Sequence, residues 1–365
     1  MMKKKTAFLI LLLVLFFFLS SRVFAQEGGE ETLEATVVEI LEEKEIQPEH
    51  SDEKQLYQKL ELLVNKGSLK DEKIVIENGN LPVANLQKYK VGNRVIVSYS
   101  KDFEGNDSFY ITDYIRRNSL FWLFAIFIVL AALIGGWRGI SSLLGMGVSF
   151  FIIFSFILPR ISAGASPIQI AIIGSLFIIP ATFYLSHGFN KKTTVAVAGT
   201  IIALIITGLL AGFFVEAAKL TGFASEEAGF LQVATRGAIN IKGLLLAGII
   251  IGVLGILDDI TISQSAIVFQ LKEANPRLKQ RELYKKAMDI GQDHISSMIN
   301  TLVLVYTGAA LPLLLLFIDN PHPFSEVINY EIIADEAIRT LVGSIGLILA
   351  VPITTLIASL ITKKH

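Results

Sequence analysis

Cysteine is absent from the 365 residues. That removes disulfides, thiolate metal sites and cysteine nucleophiles together. Charge is scarce as well: 18% of residues are Asp, Glu, Lys or Arg, against about a quarter in a soluble globular domain. The net charge is −1, so the chain has no electrostatic footprint for nucleic acid. Five histidines argue against a histidine-rich metal site. No G-x-x-x-x-G-K-[ST] stretch occurs, so the chain carries no P-loop ATPase of its own. What it has in quantity is apolar sequence: 52% hydrophobic residues and a mean hydropathy of +0.58, gathered in blocks. Blocks of that kind point to a protein that sits in a lipid bilayer.

Lys3, Lys4 and Lys5 precede an apolar run from Ala7 to Leu19, and Val23 and Ala25 fit a small-residue cleavage rule before Gln26. Residues 1–25 are therefore expected to be a signal peptide or an N-terminal anchor. Either form places residues 26–117 outside the membrane as an extracytoplasmic β-rich domain. Short β-type runs occur at 36–40, 73–77, 91–99 and 109–114, with a turn at Gly105-Asn106-Asp107. They predict a small β-barrel or sandwich. The aspartates Asp102, Asp107 and Asp113 read as turn and surface residues, and no catalytic cluster stands out.

After Arg116-Arg117 the character changes, and residues 118–365 are expected to form a multi-pass α-helical membrane bundle. Seven hydrophobic spans are predicted, near 119–136, 140–158, 167–186, 194–215, 242–262, 297–318 and 341–361. Most approach the roughly 20 residues needed to cross a bilayer as a helix. Gly135-Gly136 makes a tight turn between the first two, and Pro180, Pro312 and Pro352 are candidate kinks. Charge tests the alternation. The predicted inner segments hold Arg138, Lys191, Lys192, Lys272, Arg277, Lys279, Arg281, Lys285, Lys286, Lys363 and Lys364, while acidic residues collect in the outer loops. That is the positive-inside pattern, with the C-terminus on the cytoplasmic side of the cell membrane.

Asp258 and Asp259 stand in the middle of an apolar run from Gly243 to Leu271, in the stretch GILDDITISQ at 255–264. From Lys242 as outer edge, the run to Leu257 is about 22 Å of helix, short of a hydrocarbon core of about 30 Å. The pair is thus expected within the inner part of the membrane, where an ionisable side chain is a functional hypothesis by default. The alternative is a span that stops at Leu257 and leaves both carboxylates at the interface. Against that, Ile260, Ile262 and Ala266–Phe269 continue the apolar run, which favours a long tilted helix, a broken helix or a re-entrant turn. Thr261, Ser263 and Gln264 add oxygen ligands.

A second cluster precedes the sixth span. Asp289, Asp293, Ser297 and Thr301 repeat every four residues, with Asn300 beside them, as one helical stripe. The stripe is expected to face Asp258 and Asp259 and to bind a cation or relay protons. The alternative, which suits Asp289 better and is evenly balanced for Asp293 and Asn300, is an amphipathic helix on the lipid surface, basic at Arg281, Lys285 and Lys286. His294 is a candidate proton carrier, although a histidine beside a carboxylate is more often a structural pair. No second histidine lies near it, so no metal site is expected. His187 ends the third span, where an interfacial role fits it better.

These pieces together resemble the YibE/F-like family of bacterial multi-pass membrane proteins. The resemblance rests on Ser186–Thr194, SHGFNKKTT; on GILDDITISQ; on Gly291–Leu302, GQDHISSMINTL; and on Tyr306–Pro312, YTGAALP. It covers roughly residues 115–361, and a β-rich preface suits that family. It implies a membrane protein, in some members described as a permease, with no substrate attached.

Function is then expected along one of two lines. The first is a permease or ion-coupled transporter in which Asp258 and Asp259 bind a coupling cation or proton, helped by Gln264, Asp293, His294 and Asn300. The second is a non-transporting receptor, assembly or accessory protein acting through its external β-domain. An intramembrane aspartyl protease is disfavoured, because its Gly-x-Gly-Asp signature is missing. No cofactor is expected beyond a coupling ion. The expected partners are the lipid bilayer, a small-molecule or ion substrate, and a partner membrane protein or further copies of the chain.

Overall fold

A computed structural model describes residues 30–47, 54–82, 86–101, 105–318 and 323–362, apart from the side chains of Glu30 and Phe317. The expected signal or anchor segment, Asp102, Lys363 and Lys364 lie outside the described residues. The chain divides into two compact units, one reaching Val129 and the other beginning at Leu130.

The first unit holds one antiparallel sheet of five strands in the order β3-β2-β1-β4-β5. The strands are β1 (Glu30–Ile46), β2 (Gln55–Lys66), β3 (Lys73–Asn78), β4 (Arg94–Lys101) and β5 (Asp107–Tyr114). Strand β1 pairs with β4 through its first residues and with β2 through the rest. Register shifts at Val37/Glu39 and Ile40/Glu42 bend it, and bulges of this kind curl a sheet. The result is a half-barrel, neither the closed barrel nor the two-layered sandwich that the runs suggest. Period-two alternation sends Leu33, Ala35, Val37, Leu60, Leu62, Val64, Ile74, Ile76, Val95 and Val97 to the inner face.

One polar side chain is fully enclosed there. Gln58 accepts from Tyr89 N at 2.8 Å and donates to Tyr89 O and to Glu43 Oε2, both at 3.0 Å. It replaces a missing strand neighbour and clamps the segment before β4 against the sheet. The enclosed Tyr89 phenol is pushed up to about 12 by burial. At the end of the sheet unit Arg117 Nη1 donates to Glu34 Oε1 at 2.8 Å, and this pair holds the Glu34 carboxyl below its usual range.

The remaining elements are helices. They are α1 (Arg117–Ile152), a π-helical turn Ile153–Ile157, α2 (Leu158–Ser162), α3 (Pro167–His187), α4 (Lys191–Ala217), α5 (Glu226–Ala234), α6 (Ile241–Ala274), α7 (Gln280–Ala309), α8 (Leu311–Ile318), α9 (Phe324–Val327) and α10 (Glu331–Thr362). Among the described residues, five helical stretches are long and apolar enough to cross a membrane: Arg117–Ser162, α3, α4, α6 and α10. The chain is therefore read as embedded in a membrane, and the count of seven is not reproduced. Two features account for the difference. The first two expected spans run together as one stretch, although Gly136 (φ 55°, ψ −136°) breaks it from within. A Cβ on Gly139 would lie 2.0 Å from Ala131 O, so the backbone reverses at Gly136. The sixth span is divided at Ala310, between α7 and α8, and α7 opens with polar turns. Helices α3 and α10 run on through Pro180 and Pro352 without a break.

Helices α4, α6 and α10 form the centre of this unit, with α3 against α6 and α7 against α10. Two notches set the closeness of α4 and α10. A Cβ on Gly199 would come 2.3 Å from Thr354 Oγ1, and one on Gly346 would come 2.3 Å from Thr207 Oγ1. Glycine is needed at both places because the facing threonine fills the space of a side chain. Small-residue approaches of this kind are how helices pack where lipid supplies no hydrophobic drive.

Candidate functional site

Helix α6 is 34 residues long and unbroken, roughly 51 Å at 1.5 Å per residue. Asn240 caps its start by accepting from Gly243 N at 2.9 Å. Asp258 lies at its midpoint. Of the forms expected for this stretch, the long continuous helix is the one observed, and the helix does not end at Leu257. Asp258 is half-buried and Asp259 is exposed, because adjacent helical residues point about 100° apart. Asp259 shares the outward face of α6 with Gly248, Gly252 and Gly255, all exposed. Among the described residues, no hydrogen bond or ion pair reaches either carboxylate.

Charged groups of the α3–α4 corner and of α1 lie near Asp259. His187 lies within electrostatic reach of Asp259, Lys192 and Arg138. The corner is built by Gly188 (φ 77°), which ends α3, and by Asn190, which starts α4. Asn190 accepts from Thr193 N at 2.9 Å and donates to His187 O at 2.9 Å, joining the two helix ends through one amide. Phe189 stacks on Tyr184 with centroids 4.3 Å apart. Ser265 then donates to Lys192 O at 2.8 Å, pinning the corner to α6 beyond the aspartates.

Below the carboxylates, α6 turns a polar edge into the bundle. Thr261 and Thr200 share a hydrogen bond of 2.6 Å, both fully buried. Gln264 is also fully buried. Its Nε2 donates to Ala287 O of α7 at 2.9 Å and to Thr355 Oγ1 of α10 at 2.7 Å. Its Oε1 has no partner among the described residues. Gly291 makes room for this amide, since a Cβ there would meet both Gln264 side-chain ends at 3.0 Å and Val351 at 2.7 Å. Gln264 thus ties three helices together, a bracing role alongside the oxygen-ligand role expected from the sequence.

Three of the sequence stretches that carry the family resemblance meet here: 186–194 at the corner, 255–264 on α6 and the start of 291–302 on α7. Their convergence depends on tertiary packing. Thr200, Ser265 and Thr355 belong to the same assembly, and none of them stands out in the sequence. The one advance signal for α4 is threonine at every seventh position, Thr193, Thr200 and Thr207, all buried.

The α7 stripe is placed differently from expectation. Asp289, Asp293, Ser297, Asn300 and Thr301 are all exposed, and His294 is half-buried. The face that packs is Leu283, Ala287, Gly291 and Leu302. Among the described residues, no hydrogen bond or ion pair joins the stripe to the carboxylates of Asp258 and Asp259. The small Ala287 and Gly291 admit close approach to α6 and α10, and the stripe carboxylates lie on the exposed side of the helix. The helix is amphipathic, as the alternative has it, and its apolar face, Leu283 and Ala287, packs in one cluster with Val195, Val268 and Ala358. Among the described residues, no group of three His, Cys, Asp or Glu side chains could hold a metal ion.

The profile of the YibE/F-like protein family matches residues 123–364. The chain belongs to the YibE/F-like protein family. The match takes in the α3–α4 corner, all of α6 and α7, and α10, so the convergent stretches lie wholly within the family region. No curated protein and no solved structure matches the chain.

Proposed function

We propose that this YibE/F-like chain is a permease or ion-coupled transporter of the cytoplasmic membrane, with Asp258 and Asp259 as its cation- or proton-binding carboxylates. The observation that carries the reading is the position of Asp258: half-buried, halfway along an unbroken apolar helix, with no hydrogen bond or ion pair to its carboxylate among the described residues. A charge at the centre of a membrane helix costs about 2.5–3.5 kcal/mol, and a site that takes up a cation or proton offsets that cost. Asp259, on the outward glycine-lined face, would exchange the ion with the surroundings, while Asp258 would hold it. His187, Lys192 and Arg138 would set the local field and disfavour a second cation. Asp293, His294 and Asn300, turned outward on α7, would serve the pathway from a separate face rather than as direct ligands. The cargo would be a small molecule or ion, moved without enzymatic chemistry, and the sheet unit would lie outside with the C-terminus inside.

The test compares thermal stability of the purified protein with Asp258→Asn/Asp259→Asn across a panel of monovalent and divalent cations and pH values. One cation, or one pH range, should raise the melting temperature of the wild type by several degrees and leave the variant unmoved. Identical profiles for the two proteins would remove the carboxylates from any ion site.

A further inference from the structure

Away from the aspartates, the far ends of α6 and α10 and the start of α7 line an open cavity of about 490 Å³. Its walls are Lys272, Lys279, Gln280, Arg281, Ser359 and Thr362, closed at the base by Leu278 and the buried Leu283. No carboxylate lines it among the described residues. Lys279 and Arg281 are exposed, and among the described residues neither forms an ion pair. Lys272 donates to Pro276 O and Leu278 O, at 2.8 and 2.9 Å, which shapes the loop and holds its ammonium in the lining. The first turn of α7 adds backbone N–H groups and the positive end of a 30-residue helix. Glu282 caps Lys279 N at 3.1 Å and is the nearby acid on that helix.

We propose that this cavity binds a phosphate group, supplied by the headgroup of an anionic phospholipid. Three cations from two helices and a loop, without an opposing carboxylate in the wall, match an anion with several acceptor oxygens. Depth favours a lipid as its source. Helix α6 is roughly 51 Å long against a hydrocarbon core of about 30 Å and about 40–45 Å with the headgroups, so its last turns pass through headgroup level. The same turns of α10 expose Leu356 and Leu360, each 49% accessible, as a surface for an acyl chain. A soluble phosphate would use the cations and ignore those leucines.

The experiment titrates the full chain in detergent with dioleoylphosphatidylglycerol, with dioleoylphosphatidylcholine and with inorganic phosphate, reading the melting temperature. Phosphatidylglycerol should stabilise it and phosphatidylcholine should not. Lys279→Gln/Arg281→Gln should weaken the phosphatidylglycerol response at least tenfold, while Lys285→Gln/Lys286→Gln, removing equal charge from the outer face of α7, should leave it intact. Stabilisation by inorganic phosphate alone, lost in the first variant, keeps the site and changes the source of the phosphate. No response to either phosphate source, or an equal loss in both variants, overturns the proposal. If the double variant does not fold, the single Arg281→Gln change at an exposed position gives the same comparison.

Discussion

The two units of the chain share an apolar core but differ in what they expose and in how much polar chemistry they bury. In the sheet unit apolar side chains go inward, and Gln58 is the one fully enclosed polar side chain among its described residues. In the helical unit the outer surface carries Leu133, Ile134, Leu209, Phe213 and Leu316, each more than 60% exposed. Its interior is mostly apolar as well, but it also takes Thr193, Thr200, Thr207, Thr261, Gln264, Ser265, Thr354 and Thr355. The same backbone chemistry answers two solvents. Water makes a sheet hide its apolar face; hydrocarbon removes that drive, so helices hold together by close approach and internal hydrogen bonds.

The contrast can be broken most forcefully at the glycine notches. Gly199→Val would drive a side chain into Thr354, and overpacking of this kind costs about 1–3 kcal/mol or more. Gly252→Ala, with nothing within 4 Å of the new methyl, should cost nothing. Thermal unfolding in detergent should separate the two variants clearly; equal melting temperatures would mean that close approach is not what binds α4 to α10.

A middle-sized effect compares the two buried glutamines. Gln58→Leu strands the N–H and C=O of Tyr89 and should cost the sheet unit about 2–3 kcal/mol. Gln264→Leu leaves Ala287 O its helical partner, so it should cost only about 0.6–2 kcal/mol. Chemical denaturation followed separately for strand and helix signals would read both. A larger loss at Gln264 would reverse the contrast between the units.

The smallest effect is on the sheet unit at acid pH. Glu34 titrates below its ordinary value because Arg117 favours its charged form. Its stabilisation is complete above the unfolded value near 4.5 and is lost as pH falls through the lower folded value. Arg117 is largely exposed, so the pair contributes about 1 kcal/mol or less. Glu34→Gln should lower stability at pH 7 by that amount and leave it unchanged near pH 2.

Legibility in the sequence followed the same divide. The apolar blocks announced the membrane helices, and the long run through GILDDITISQ announced α6. Strands β1, β3, β4 and β5 were visible as short runs. Strand β2 was not read, because Gln55–Lys66 is rich in Leu, Lys, Glu and Gln, residues that suit a helix equally well. Its identity comes from pairing on both edges, with β1 and β3. Strand β4 begins at Arg94 rather than Val91 because Gly92 (φ 89°) sits in a turn that Asn93 closes by accepting from Lys90 N at 2.8 Å. The α7 stripe keeps its expected period, and its face is the exposed one. Periodicity tells which residues share a face, and only the small Ala287 and Gly291 tell which face packs.

The paired notches between α4 and α10 act as a vernier. Gly199 engages Thr354 and Thr207 engages Gly346, with the same eight-residue interval on both antiparallel helices. A slide of one helix past the other would have to lift both teeth at once, and no shorter step brings either glycine opposite another threonine of the pair. The two helices are therefore locked in register as a single bar. The brace at Gln264 ties α7 to that bar through Ala287 O and Thr355.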